Sequence, residues 1–420
     1  MKKNYTLSFF FCSIVALGLA QQNNPHCGTD MHTRALTQND PHYSVSRNDY
    51  ENAVNEWISR NYNPHVQSVR VVPVVVHVVY KTPLENIGDP QVISQIDVLN
   101  EDYARQNADT VNTPAAFQPV AANTGIQFCL AQTDPSGNPT TGIEHISTAT
   151  ISFTTNDFVK SASTGGANSW DPTRYLNIWV CNLSNGLLGY GEFPTSTLSQ
   201  TFGVVIQYNA FGRIGTLQSP FNTGRTCTHE IAHCFNLYHI AASASCVDND
   251  QCADTPVPHD QLLSSCPTFP LLDACNTTSP GVMFMDYMTN APDDNCMNMF
   301  TADQSARMNA VLNVSPYNSL VTSTVCSPAT GINNPLLSAD GISIYPNPSS
   351  GIFSVKLSAT PVSGISVYDV LGNKIAEFTP TEIKNDVYEM DLSGQAEGVY
   401  FLQIVTAEHK VINRKIILAR

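Results

Sequence analysis

The densest chemistry in the sequence lies in His229-Glu-Ile-Ala-His-Cys-Phe-Asn-Leu-Tyr-His239. On a helix, His229 and His233 stand about one turn apart, so both imidazoles leave one face and can share a tetrahedral metal ion. Glu230 sits beside them, where a carboxylate can take a proton from a water that the metal has acidified. His239 follows six residues after His233 and would face elsewhere on a continuous helix. It can join the site only if the chain turns sharply. Asn236 stands where that turn is needed, and asparagine tolerates a left-handed backbone better than other non-glycine residues. Three histidines leave the fourth zinc position open, which is the catalytic and not the closed structural arrangement. The plain alternative is two core histidines beside an unrelated glutamate. With 11 histidines in 420 residues, that spacing arises by accident in roughly one chain in a thousand. The retained glutamate also argues against a metal site without activity.

Other reactive residues cluster less tightly. Asp248, Asp250 and Asp254 crowd a loop with Thr255 just beyond the histidines, either as a calcium site or as a solvated acidic turn. The chain has 12 cysteines. Cys12 falls in an N-terminal leader, and the remaining odd number leaves at least one thiol without an intramolecular partner. Cys227 and Cys234 are about 10 Å apart along a helix, too far to bridge each other. Cys27, in His26-Cys-Gly-Thr29, could fill the open zinc position as a thiolate and displace the water there.

The length predicts two or more folded units. A net charge of −15 excludes nucleic acid and anionic lipid as main partners and suits a protein that binds cations. Residues 1–20 read as a signal peptide, with Lys2 and Lys3 ahead of an apolar run and Gly18-Leu19-Ala20 at its end. No later stretch approaches the ~20 apolar residues of a membrane span. Residues 21–70 are polar and turn-rich and read as a pro-segment or a loose extension. Val71–Tyr80 is a β-branched run, as expected for a strand buried on both faces. Val92, Ile96, Leu99 and Tyr103 place a helix over 91–106. Ile126–Leu130, Tyr175–Val180 and Gly203–Gln207 add strands, and the alternation predicts a mixed sheet with helices packed against it. Thr301-Ala-Asp-Gln304 resembles a capping box opening another helix. Beyond a linker at 316–341, short alternating strands from 342 to 420 predict a small β-sandwich.

The zinc stretch resembles the metzincins, which share HExxHxxGxxH and a downstream methionine turn; Asn236 replaces their glycine. Within that clan the chain is similar to the pappalysin family, in its bacterial cytophagalysin- and ulilysin-like branch, over roughly residues 71–315. The likeness is carried by Val72-Pro-Val-Val-Val-His77, Leu176-Asn-Ile-Trp179, Gly189-Tyr-Gly-Glu-Phe-Pro194, Asp254-Thr-Pro256, Met285-Asp-Tyr287, Cys296-Met and Phe300-Thr. It implies an α+β, metzincin-like catalytic domain with zinc in a cleft. It gives Met285 the hydrophobic floor beneath the metal and Tyr287 the phenol that stabilises the tetrahedral intermediate. It implies calcium held by Asp250, Thr255 and the Ala253 carbonyl, with Asp254 alongside, and disulfides 246–275 and 266–296 among Cys246, Cys275, Cys266 and Cys296. Similar enzymes use a cysteine such as Cys27 for latency, and some place an acid near Asp293 and Asp294 to prefer basic residues after the scissile bond.

Ile344-Tyr-Pro-Asn-Pro348, Val367-Tyr-Asp-Val-Leu-Gly-Asn373 and Arg414-Lys-Ile-Ile-Leu418 resemble the C-terminal sorting domains of the type IX secretion pathway. That likeness implies outer-membrane export, then release or surface attachment. The resulting reading is a secreted zinc metalloendopeptidase acting on proteins or peptides, with one catalytic zinc and a structural calcium. Processing is expected near Arg70-Val71, or else at Arg60. The alternative from a different class is a surface adhesin on the same scaffold.

Overall fold

The computed structural model describes residues 26–62, 69–241, 246–247, 250–259, 266–289, 293–326, 342–345, 349–357, 362–369, 373–378, 387–406 and 411–419. The leader, Asp248 and most of the linker lie outside these. The chain divides into two compact units, Met1–Ala329 and Thr330–Arg420.

The first unit is built on one mixed sheet. Its central strand β1 (Arg70–Tyr80) is buried from Val72 to Val79, which explains the unbroken β-branched run: both faces are covered, so polar alternation has no place. After a short β2 (Ala121–Ala122), strands β3 (Ile126–Leu130), β4 (Ile143–Ser147) and β5 (Leu176–Cys181) all pair in parallel with β1. The outer strand β6 (Gly189–Gly191) runs antiparallel to β7 (Gly203–Gln207), which itself pairs in parallel with β5. The order β3-β1-β5-β7-β6 leaves β6 as an edge.

Helices cover the sheet. α1 (Thr29–Asn39) and α2 (Tyr43–Asn61) precede it, and α3 (Asp89–Tyr103) sets Val92, Ile96, Leu99 and Tyr103 in one core with Val72, Val74, Val76 and Val78. Burying each such side chain contributes about 1.5–3 kcal/mol. Ile231 and Ala232 of α4 (Arg225–Cys234) join the same core. Strand β8 (Phe300–Thr301) pairs with β2 and leads into α5 (Ala302–Val311). The capping box forms: Thr301 accepts from the Gln304 N–H, and the Gln304 side chain accepts from the Thr301 N–H.

Two expectations are corrected here. The segment ahead of β1 is not loose, since α1 and α2 occupy most of residues 29–61. Processing at Arg70-Val71 is also at odds with the fold. Arg70 already lies in β1, its N–H donates to the Gly125 carbonyl at 2.9 Å and its guanidinium to Asn313 at 2.8 Å. Arg60 is by contrast exposed at the end of α2.

Disulfides join Cys246 to Cys275 and Cys266 to Cys296, as the resemblance implied, and Cys129 to Cys326, which sequence reasoning left open. Cys27, Cys181, Cys227, Cys234 and Cys252 remain free and buried.

The second unit is all β. Strands β9 (Ile342–Tyr345), β10 (Ile352–Leu357) and β13 (Val387–Asp391) form one antiparallel sheet. Strands β11 (Val362–Tyr368), β12 (Lys374–Phe378), β14 (Gly398–Thr406) and β15 (Val411–Leu418) form the other. Phe353, Val355, Met390, Leu402, Ile404 and Ile416 share its core.

Candidate metal centre and cleft

Every residue of α4 is buried, and its histidines are oriented from behind. His229 Nδ1 donates to the Tyr287 carbonyl at 2.6 Å and His233 Nδ1 to the Leu237 carbonyl at 2.7 Å. A carbonyl only accepts, so each Nδ1 carries the proton and each Nε2 presents a lone pair. The chain leaves α4 as the spacing requires. Asn236 adopts φ 71°, the Leu237 N–H reaches back to the Ala232 carbonyl at 3.0 Å, and His239 returns to the other two rings. The three Nε2 atoms lie 3.1–3.2 Å from one another. Burial, with His239 beside it, drops His229 to about 3, and His233 falls well below its ordinary range for the same reasons. Neutral imidazoles with lone pairs facing one another fit a cation at their focus, and this donor set suits zinc.

Glu230 borders the same focus. Its Oε2 accepts from the Thr29 hydroxyl at 2.9 Å and lies 3.4 Å from Cys27 Sγ. Burial pushes its carboxyl up to about 7, against the pull of Thr29 and Cys27. The Cys27 sulfur stands 3.5 Å from His233 Nε2, and it and the three histidines offer four donor atoms all within 4.8 Å. Among the described residues no other group of three or more His, Cys, Asp or Glu is close enough to hold an ion.

The segment carrying Cys27 is held along the edge strand. Leu188 N–H donates to the His26 carbonyl and Gly28 N–H to the Gly189 carbonyl, both at 2.8 Å, making a parallel bridge. Asp30 faces His239 Nδ1 at 3.4 Å. The glycines of β6 let this strand lie close against α4: a Cβ on Gly189 would fall 2.7 Å from Glu230 Cγ, and one on Gly191 2.6 Å from the Glu230 carbonyl. Thr29, Asp30 and the reason for these glycines escaped sequence reasoning, although Gly189-Tyr-Gly191 on a strand was a visible signal.

A pocket opens beside His229 and Glu230, lined also by His26, Phe221, Thr289, Asp294 and Met297. The two aspartates expected there separate. One oxygen of the buried Asp294 accepts from the Thr223 N–H at 2.8 Å and hydroxyl at 3.1 Å; the other has no partner. Asp293 is not in the pocket. It caps the turn at 294–296, accepting from the Asn295 N–H at 2.8 Å.

Tyr287 also departs from expectation. It is fully buried, and its hydroxyl donates to Asp102 at 2.8 Å instead of facing the metal. The physical reason is Asp102, a buried carboxylate that takes Tyr287, the Thr228 hydroxyl at 2.8 Å and Arg225 at 3.6 Å. Met285 is buried with Phe117, Met283 and Met299, and precedes by two residues Tyr287, whose carbonyl orients His229.

The acidic loop is held differently. Asp254 is tied to the start of α5, accepting from the Thr301 hydroxyl at 2.7 Å and the Asp303 N–H at 3.0 Å. Its two oxygens are thereby engaged, against its expected place beside a calcium ion. Ala253 N–H donates to Asp303 at 2.8 Å. Asp250 takes the Thr255 hydroxyl at 2.8 Å and the Cys252 N–H at 3.1 Å on one oxygen, leaving the other buried and unpartnered.

Comparison with known proteins agrees with this geometry. The pregnancy-associated plasma protein-A family matches residues 155–313, and a secretion system C-terminal sorting domain matches residues 343–419. An extracellular metalloprotease of Arthroderma otae is 31% identical over 240 residues, spanning 55% of this chain and 74% of its own length. One from Pyricularia oryzae is 29% identical over 256 residues, spanning 58% and 76%. Among solved structures, a promirolysin mutant of Tannerella forsythia is 43% identical and covers 70% of this chain and 97% of its own, with a TM-score of 0.64. Mature mirolysin in complex with a cleaved peptide is 46% identical and covers 63% and 100%, with a TM-score of 0.59. No helix among the described residues is long and apolar enough to cross a membrane. The chain belongs to the pappalysin family of metzincins, as an exported zinc metalloendopeptidase with a type IX sorting domain at its C-terminal end.

Proposed function

We propose that the chain is made as a latent endopeptidase precursor in which Glu230 is the general base and the segment ahead of β1 keeps the cleft closed until it is removed. The observation that carries this reading is the meeting of three Nε2 lone pairs, the Glu230 carboxylate and the Cys27 sulfur at one buried point. A zinc ion on His229, His233 and His239 would supply Lewis acidity toward water and the scissile carbonyl. Glu230 Oε2 would accept the proton and pass it to the leaving amine. That oxygen now faces Thr29 and Cys27, so proton transfer waits on their departure. The backbone groups of Leu188 and Gly189 that pair with His26 and Gly28 would then be open to an extended substrate.

Asp294, with one buried oxygen unpartnered in the pocket beside Glu230, would receive an arginine or lysine following the scissile bond. Met285 would floor the metal site. Asp250, Thr255 and the Ala253 carbonyl would take calcium, with Asp254 anchoring their loop to α5. The domain reading becomes a signal peptide at 1–20, a pro-segment to about 70, a catalytic unit to about 315 and a sorting domain from 342. In the precursor carrying Cys27→Ala, processing by the enzyme itself would begin earlier than in wild type.

The decisive variant is Glu230→Ala. It should keep one zinc per chain and the native fold while losing about 10²–10⁴-fold in hydrolysis. Near-normal cleavage by a clean preparation would refute the assignment.

A further inference from the structure

Glu51 of α2 accepts at 3.4 and 3.3 Å from Arg47 and Asn55 of its own helix, and more closely from three donors that belong to residues beyond β1. One carboxylate oxygen accepts from Arg307 Nη2 at 2.7 Å, and the other from Asn236 Nδ2 at 3.0 Å and the Tyr238 hydroxyl at 3.1 Å. Arg47, one turn earlier on α2, donates to Asn236 Oδ1 and to the Tyr238 oxygen and lies over the Phe193 ring at 4.9 Å. Arg307 is nearly inaccessible, and it also donates to the Asn236 carbonyl at 3.3 Å. Burial works against the Glu51 charge, yet Arg307 and Asn236 outweigh it and hold the carboxyl below its usual range.

The Asn236 side chain is therefore clasped at both ends by α2. It is also the left-handed residue between His233 and His239. A glycine would make the same turn with nothing for α2 to hold. Replacing glycine here thus does more than satisfy the backbone: it gives the N-terminal segment a grip on the loop that delivers the third histidine.

We propose that Arg307, Asn236 and Tyr238 form a carboxylate-binding site on the catalytic unit, filled in the precursor by Glu51, and that this site is a second latch of latency separate from Cys27. The proposal rests on reading residues 26–62 as a removable inhibitory segment. Once that segment leaves, the three donors stay behind as a preformed receptor for one carboxylate on a helix. Removing one partner of a buried ion pair leaves the other uncompensated, so a neutral replacement of Glu51 weakens the latch while preserving its shape.

The test uses the full-length precursor with Glu51→Gln, with Cys27→Ala, and with both. Glu51→Gln should mature at least about tenfold faster than wild type, and the double variant faster than either single one. The mature product should match wild type in kcat/KM and melting temperature, because position 51 has been discarded; this separates a latch from a folding defect. If the variant precursor does not accumulate, a synthetic peptide spanning 26–62 is titrated against mature wild-type enzyme. Carrying Glu51→Gln, it should inhibit at least tenfold more weakly. Maturation or inhibition unchanged by Glu51→Gln, while Cys27→Ala still accelerates maturation, overturns the second latch and leaves latency standing. A wild-type precursor already as active as its processed form overturns the reading beneath it.

Discussion

Two places where this chain gathers potential metal ligands are built on opposite plans. Around α4, the Nδ1 atoms of His229 and His233 are satisfied by the Tyr287 and Leu237 carbonyls, so their Nε2 atoms are left facing one another, His239 and the Cys27 sulfur. In the loop at 250–255, carboxylates that composition alone would nominate are largely committed to protein donors: Asp254 holds the start of α5, and Asp250 folds over Thr255 and Cys252. A metal site is legible from which lone pairs are left facing inward. The count of acidic or imidazole groups says much less.

The sharpest way to break this contrast is His233→Ala. It should remove zinc almost completely and depress hydrolysis at least as far as the 10²–10⁴-fold expected of a lost general base, read by metal analysis and a peptide assay. Retained zinc would mean the three rings do not share one ion. Next in size is Asp294→Ala. If its free oxygen pairs with a basic side chain, cleavage before arginine or lysine should fall about 10–150-fold, in line with the ~1.5–3 kcal/mol of a charged hydrogen bond. A peptide library that favours apolar residues there regardless of Asp294 would return it to a structural role.

A smaller effect belongs to the acidic loop. Calcium at a hundredfold excess over its Kd would add about 2.7 kcal/mol to stability, or roughly 5–10 °C in melting temperature for a unit of this size. Asp250→Asn should abolish that calcium-dependent rise while leaving zinc content alone. A melting temperature indifferent to millimolar calcium would make the loop a plain acidic turn. Smallest of all is Asp293→Ala, which removes only the cap on the turn at 294–296. A loss of about 0.5–2 kcal/mol with unchanged specificity is expected, and altered specificity would place this carboxylate in the pocket after all.

Periodicity and spacing made much of this molecule readable. The buried run in β1 needs no partner information, and the distance from His233 to His239 required a turn that Asn236 supplies. The helices ahead of β1 were missed for a physical reason. α2 carries few apolar residues, and much of its order comes from tertiary contacts such as Tyr50 and Val54 in the core and Arg47 and Glu51 in the clasp. Its own pattern does not announce it. Tyr287 was misplaced because its neighbour in space, Asp102, is 185 residues away in sequence. The Cys129–Cys326 pairing is likewise a long-range choice among eleven candidates that spacing does not resolve.

That last bond has a topological consequence. It closes a covalent ring from 129 to 326 that contains all three histidines, Glu230, Met285 and Asp294, with the other two disulfides nested inside it. The segment from 26 to 62 lies outside every ring. One cut between α2 and β1 therefore frees that segment completely, whereas one cut in a loop of the ring frees nothing. For an enzyme bathed in its own activity, the same event is liberation outside residues 129–326 and a mere nick within them. Electrophoresis of aged enzyme should show the nicked ring as a single band without reductant and as fragments with it.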